Sequence, residues 1–137
     1  MGGLEAIEID LRALEQNYRD AKGYHHRAEQ CAEEGRRHGL IFNIASIALE
    51  RYLIALCELY GEIPDNHNYN SLMDAVENVV EFPSELNKEI RSLDDIFGIC
   101  SIDNYYHGAP EPTDADRVLA LCDNIKRYSI NRQLIQY

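Results

Sequence analysis

The sequence contains no C-x-x-C pair. Its four cysteines, Cys31, Cys57, Cys100 and Cys122, stand far apart, each among apolar residues in a helical pattern. This removes the paired-cysteine zinc and redox motifs and argues against a disulfide framework. The expectation is small buried hydrophobes in a reducing cytosol. Long apolar runs are also missing. The most apolar stretch, 39–59, is interrupted by Asn43, Ser46, Glu50, Arg51 and Glu58, so neither a transmembrane helix nor membrane association is expected. The opening MGGLEAIEID lacks a basic region followed by an apolar stretch, and Ala6 stands where a myristoylation site carries a small hydroxyl residue. No secretory signal or lipid anchor is expected, and the expected location is cytoplasmic.

Positive charge is scarce. Thirteen Lys and Arg face 24 Asp and Glu, a net charge of −11. Broad non-specific nucleic-acid binding needs a positive footprint, so DNA is not an expected partner, although a small local site for a nucleotide or RNA stays open. The adjacent basic pairs, Arg36–Arg37 and Lys126–Arg127, read as solvated surface.

What is present is the length of one ordinary domain, 137 residues, with 45% hydrophobic and 27% charged residues. That is enough to bury a core without staples. Leu4, Ile7, Leu11, Leu14, Tyr18 and Ala21 recur at steps of three and four, an amphipathic helical stripe that continues through Ala28 and Ala32. The glycines of EEGRRHG end it. The next segment is apolar on more than one face. Ile41, Ala45, Ala48, Tyr52 and Leu59 form one stripe, and Phe42, Leu49, Leu53 and Leu56 another, as in the central helix of a bundle. Gly61 and Pro64 stop it. Ser71, with Asp74 three residues on, is expected to cap a short third helix. Pro83 and Ser84 open a fourth, carrying Leu86, Ile90, Leu93, Phe97 and Cys100. Thr113, with Asp116, is expected to cap a fifth through Val118, Leu121, Cys122, Ile125 and Tyr128. No period-two strand pattern, internal repeat or low-complexity linker is found. The expectation is an all-α, single-domain bundle over 1–137, with helices near 4–34, 40–61, 71–80, 84–103 and 113–129.

Chemical motifs are few. Di-iron bundles use Glu-x-x-His pairs, but the positions three before the five histidines hold Lys22, Gly23, Gly35, Pro64 and Asn104. Glu34 with His38 is the nearest relation, across a helix-ending glycine. No metal and no cofactor are expected. His25 and His26, beside Tyr24 and Arg27 on a long helix, read as surface. There is no P-loop, no Gly-x-Gly-x-x-Gly and no nucleophile elbow. The segment IDNYYHGAPEP, 102–112, sets Asn104, Tyr105, Tyr106 and His107 side by side where a helix ends. A histidine there can serve as acid or base, and tyrosines can stack on a base or ribose. The plainer reading, preferred from chemistry alone, is that a tyrosine packs inward and the segment turns the chain.

Three segments, in this order, resemble the HEPN family of small helical domains linked to nucleotides and RNA. ASIALERYLIALCELYGEIP, 45–64, is similar to the family's central helix, with Glu50 and Arg51 at its acidic and basic positions; Ile54 stands where many members have Lys. NHNYNSLMDAV, 66–76, is similar to the His-Asp-Leu stretch, with His67 at the histidine and Asn68–Tyr69 in place of Asp-Leu. SIDNYYHGAPEPTDADRVLALCDNI, 101–125, is similar to the Tyr-containing end of the fourth helix, its turn and the fifth helix.

The resemblance implies an up-and-down four-helix core, a homodimer, and one of two roles. Members with Arg, four to six residues, then His are metal-independent ribonucleases. Here His107 would be that histidine and act as general base or acid, but Cys100, Ser101 and Ile102 occupy the arginine positions. The scissile phosphate would then lack its cation. Members without the motif act as non-catalytic binding subunits, some paired with a small nucleotidyltransferase in toxin–antitoxin-type systems. This second role is the preferred expectation, with Glu50, Asn104, Tyr105, Tyr106 and His107 as the ligand edge. The ribonuclease and a purely structural or protein-interaction bundle are the alternatives.

Overall fold

The all-α expectation holds in a computed structural model, which describes residues 3–97 and 110–131, with side chains for 12–96 and 110–128. The elements are α1 (Gly3–Glu33), α2 (His38–Leu59), α3 (Tyr69–Val79), α4 (Ser84–Phe97) and α5 (Pro112–Asn131), with no strand among the described residues. The part of the fourth helix expected beyond 97 lies outside the described residues.

The C-termini of α1 and α2 are both set by glycine. At Gly35, φ is 71°, and the Arg36 and Gly35 amides donate to the Cys31 and Ala32 carbonyls. At Gly61, φ is 73°, and Glu62 and Gly61 donate to Cys57 and Glu58. These are Schellman caps, in which a left-handed residue closes the last turn and satisfies its free carbonyls.

Between those stops runs the central helix. α2 buries residues on most of its surface, including Phe42, Leu49, Tyr52, Leu53 and Leu56 at 0–1% exposure. α1 packs along one side and α5 along another, while α3 covers a third and packs against α4. One continuous apolar cluster joins all five helices, from Leu14 and Tyr18 through Leu72, Ile90 and Leu93 to Val118 and Ile125. By length and composition α2 could cross a membrane, with a mean hydropathy of 1.7, but 67% of that window is buried by its neighbours. A helix packed against three neighbours needs that composition on most of its surface, and a narrow strip through Leu40, Asn43 and Ile47 is exposed.

Three helix starts differ from the sequence expectation. α2 begins at His38, two residues early, so Gly35 alone ends α1 and Gly39 lies inside α2. α3 begins at Tyr69, two residues early. Its cap is Asn68, whose side chain accepts the Ser71 amide at 2.7 Å, so Ser71 receives a cap instead of providing one. α5 begins at Pro112, a position where the missing N–H costs nothing. Asp114 there accepts the Glu111 amide at 2.9 Å, the return half of a capping box, in the place assigned to Thr113 and Asp116.

The glycines give one test. Gly23 is exposed within α1, and a Cβ there would meet nothing within 4 Å. Gly23→Ala should stabilise by up to about 1 kcal/mol. Gly35 has equal room but a left-handed φ of +71°, so Gly35→Ala should destabilise by about 1 kcal/mol. Urea unfolding midpoints of the two variants should move in opposite directions.

The core gives another. Burial, reinforced by the charges of Glu62 and Glu58, pushes the Cys57 thiol from 9.0 up to about 12. The unfolded chain therefore releases this proton at lower pH than the folded protein. The contribution of Cys57 to stability is whole below pH 9 and is lost as pH rises towards 12. Unfolding midpoints should fall more steeply with alkaline pH in the wild type than in Cys57→Ala.

Candidate functional site

Asn104, Tyr105, Tyr106 and His107 lie outside the described residues. Glu50, the fifth member of the expected ligand edge, sits on α2 with its side chain 25% exposed, and its Oε2 lies 3.9 Å from Nδ1 of the exposed His67. The loop that carries His67 is fixed from two directions. Asp94 of α4 accepts the Tyr69 and Asn70 amides at 2.9 Å each and the Asn70 side chain at 2.8 Å. With the Asn68 cap, three of the free amides at the start of α3 are satisfied, two of them by a carboxylate at the positive end of the helix dipole. Tyr69 then reaches inward, and its hydroxyl donates to the Ser46 carbonyl at 2.8 Å, one helical turn before Glu50. Burial raises the Tyr69 phenol well above its ordinary value and keeps it a donor.

Arg51, next in sequence to Glu50, turns to a different neighbour. Its Nη1 donates to Asn17 Oδ1 at 3.0 Å, and Asn17 Nδ2 donates to Glu58 Oε1 at 2.7 Å, a polar bridge between α1 and α2. Arg51 Nε is buried without a hydrogen-bond partner. The acidic and basic positions of the central helix therefore do not meet in one cluster. The next arginine of interest, Arg91 on α4, is fully occupied. Its Nη2 donates to Asp74 at 2.9 Å and Glu77 at 3.0 Å, its Nη1 to the carbonyl and side chain of Asn70, and its Nε to Asn87. It is the clamp between α3 and α4.

A second constellation was not anticipated. His25, expected at the surface, is 3% exposed, whereas its neighbour His26 is exposed. Its Nδ1 lies 2.9 Å from the Tyr52 hydroxyl on α2. Its Nε2 lies 3.0 Å from Asp123 Oδ1 on α5 and 3.9 Å from Glu29 Oε2, one turn along α1. The imidazole thus stands where α1, α2 and α5 meet. The Tyr52 ring packs edge-on against both His25 and Tyr18. Burial first, and then the nearby Cys122, Tyr18, Glu29 and Asp123, raise the Tyr52 phenol far above its ordinary value, so it stays protonated. The signal for His25 was in the stripe itself, since it stands four residues after Ala21 and three before Ala28. Its neighbours Tyr24, His26 and Arg27 on a long helix point instead to the surface, and all three are exposed.

Two recesses open on the surface. A groove of about 460 Å³ between the start of α4 and the end of α5 is lined by Leu86, Glu89, Asn124, Arg127 and others. A recess of about 280 Å³ is lined by Glu62, Asp65 and Asp74 among others, but Glu62 already accepts from Asn78 and Asp74 from Arg91.

Compared with known proteins, the chain matches no family model, no curated protein and no solved structure.

The anchoring of the His67 loop is testable. Asp94→Ala removes the carboxylate that caps α3 and should cost about 1–2 kcal/mol in urea unfolding. Amide hydrogen exchange of Tyr69 and Asn70 should rise well above that of the α2 amides.

Proposed function

We propose that the chain is a HEPN-like, non-catalytic domain that serves as a nucleotide- or RNA-associated binding or partner subunit. In this reading it is a cytoplasmic homodimer able to pair with a small nucleotidyltransferase in a toxin–antitoxin-type system. The observation that carries it is the approach of Glu50 to His67, 3.9 Å apart. These residues stand in two of the three segments that resemble the family, at the positions where the family is polar. The two are 17 positions apart, and α2 and the Asp94-anchored loop bring them to one edge.

Two further observations support a binding role over cleavage. The arginine positions of the ribonuclease motif hold Cys100, Ser101 and Ile102, and the upstream Arg91 is consumed by Asp74 and Glu77. No free guanidinium from α4 is therefore offered to a phosphate. The homodimer draws support from Leu40 and Ile47, seven residues apart on one side of α2 and exposed at 42% and 40%. Unpaired thiols at Cys31, Cys57 and Cys122 suit a reducing compartment.

The test pairs thermal-shift titrations of adenine and guanine nucleotides and a short RNA with RNA-cleavage assays and light scattering. Nucleotide or RNA should raise the melting temperature of a dimeric wild type without cleavage, and the shift should shrink in Glu50→Gln and in His107→Ala. Metal-independent cleavage that disappears in His107→Ala would replace this reading with the ribonuclease. No shift with any ligand, in a folded protein, would leave the structural bundle.

A further inference from the structure

We propose that His25, Glu29 and Asp123 form a site for one divalent transition-metal ion, for which zinc is the best match, with Tyr52 orienting the imidazole. The inference stands apart from the nucleotide-binding reading and uses none of its residues.

The spacing is the first argument. Zinc takes imidazole nitrogen at about 2.0–2.1 Å and carboxylate oxygen at about 2.0–2.2 Å in tetrahedral sites, which places ligand atoms about 3.3 Å from one another. The distances from His25 Nε2, 3.0 Å to Asp123 and 3.9 Å to Glu29, bracket that value. The three donor atoms all lie within 4.8 Å of one another. Small rotations of two half-exposed carboxylates bring them to it. His25 and Glu29 are i and i+4 on α1, stacked on one face, and α5 supplies the third donor.

The second argument is independent of the acidic residues. His25 Nε2 is buried and makes no hydrogen bond, although Asp123 Oδ1 is only 3.0 Å away, because that oxygen lies off the direction of an Nε2–H. A buried polar atom without a partner is costly. A cation along the lone pair, with the carboxylate oxygen beside it, removes the deficit. The other ring nitrogen is already arranged for this. If Nδ1–H donates to the Tyr52 hydroxyl at 2.9 Å, Nε2 presents its lone pair to the cluster. A hydrogen bond from the second ring nitrogen is the usual means of fixing the tautomer of a metal-bound histidine.

Charge points the same way. Among the described residues, neither carboxylate is paired with a lysine or arginine, so two anions face one imidazole. One divalent ion with a neutral histidine and two carboxylates gives a neutral centre. The nitrogen and oxygen donors favour zinc over magnesium or calcium, which take oxygen alone. Glu29 and Asp123 have side chains 50% exposed, which opens the outer face of the site to solvent for entry and for a fourth, water ligand.

The test uses the full chain, stripped with a chelator and titrated with zinc alone by calorimetry. Binding should saturate at one ion per chain and raise the melting temperature, since the ion ties α1 to α5. Asp123→Asn and Glu29→Gln, both at half-exposed positions that leave the core intact, should each weaken binding at least tenfold. Tyr52→Phe should weaken it about tenfold or more, and Glu33→Gln, on the exposed end of α1, should not. Cobalt should give the visible absorption of a tetrahedral site in the wild type and lose it in Asp123→Asn. A folded wild type that binds no stoichiometric zinc would overturn the proposal, as would zinc affinity unchanged by Asp123→Asn.

Discussion

α2 imposes the central constraint. Twelve of its residues are buried, spread over all of the helix but a strip through Leu40, Asn43 and Ile47, so no single neighbour can cover it. Each large apolar side chain withdrawn from water contributes about 1.5–3 kcal/mol. The helix is therefore stable only when α1, α3 and α5 enclose it together. The hairpin with α1 covers the longest face, and its turn depends on the left-handed cap at Gly35. The composition that would suit a lipid-spanning helix is here the composition of an enclosed one.

Enclosure also explains where the polar groups are. Where α2 is covered, most of its polar groups meet a partner from the element they face. The Ser46 carbonyl accepts from Tyr69 of α3, Glu50 approaches His67, Arg51 meets Asn17 from α1, and Tyr52 meets His25, while the Ser46 hydroxyl is buried without a partner. α5 contributes the Cys122 thiol, which donates to the Ala45 carbonyl at 3.2 Å. These contacts lie between helices, at the seams of the bundle. Both candidate sites sit on such seams, one at the α2–α3 edge and one where α1, α2 and α5 converge. A seam side chain is half-enclosed by rigid elements, which is the setting that holds ligand groups in place.

Much of the fold was legible because helical periodicity is local. The stripes through Leu14, Tyr18 and Ala21, through Phe42, Leu49 and Leu53, and through Val118, Leu121 and Ile125 are buried as their spacing implies. Glycine stops were legible for the same reason, since a positive φ is a property of one residue. The start of α3 was misplaced by two residues because part of its cap, Asp94, comes from another helix 25 positions away. The burial of His25 was not legible from its exposed neighbours Tyr24, His26 and Arg27, because the groups that approach it come from α2 and α5.

The sequence by itself determined that this protein is helical, where its glycines end helices, and which helix must be central. Each follows from forces acting within a few residues: spacing, caps and turn geometry. Only the tertiary structure decided which polar residues meet. Glu50 with His67, Arg51 with Asn17, and His25 with Tyr52 and Asp123 are separated by 17 to 98 positions. The rotation of each helix about its axis, set by close packing of the whole apolar core, brings them within reach of one another.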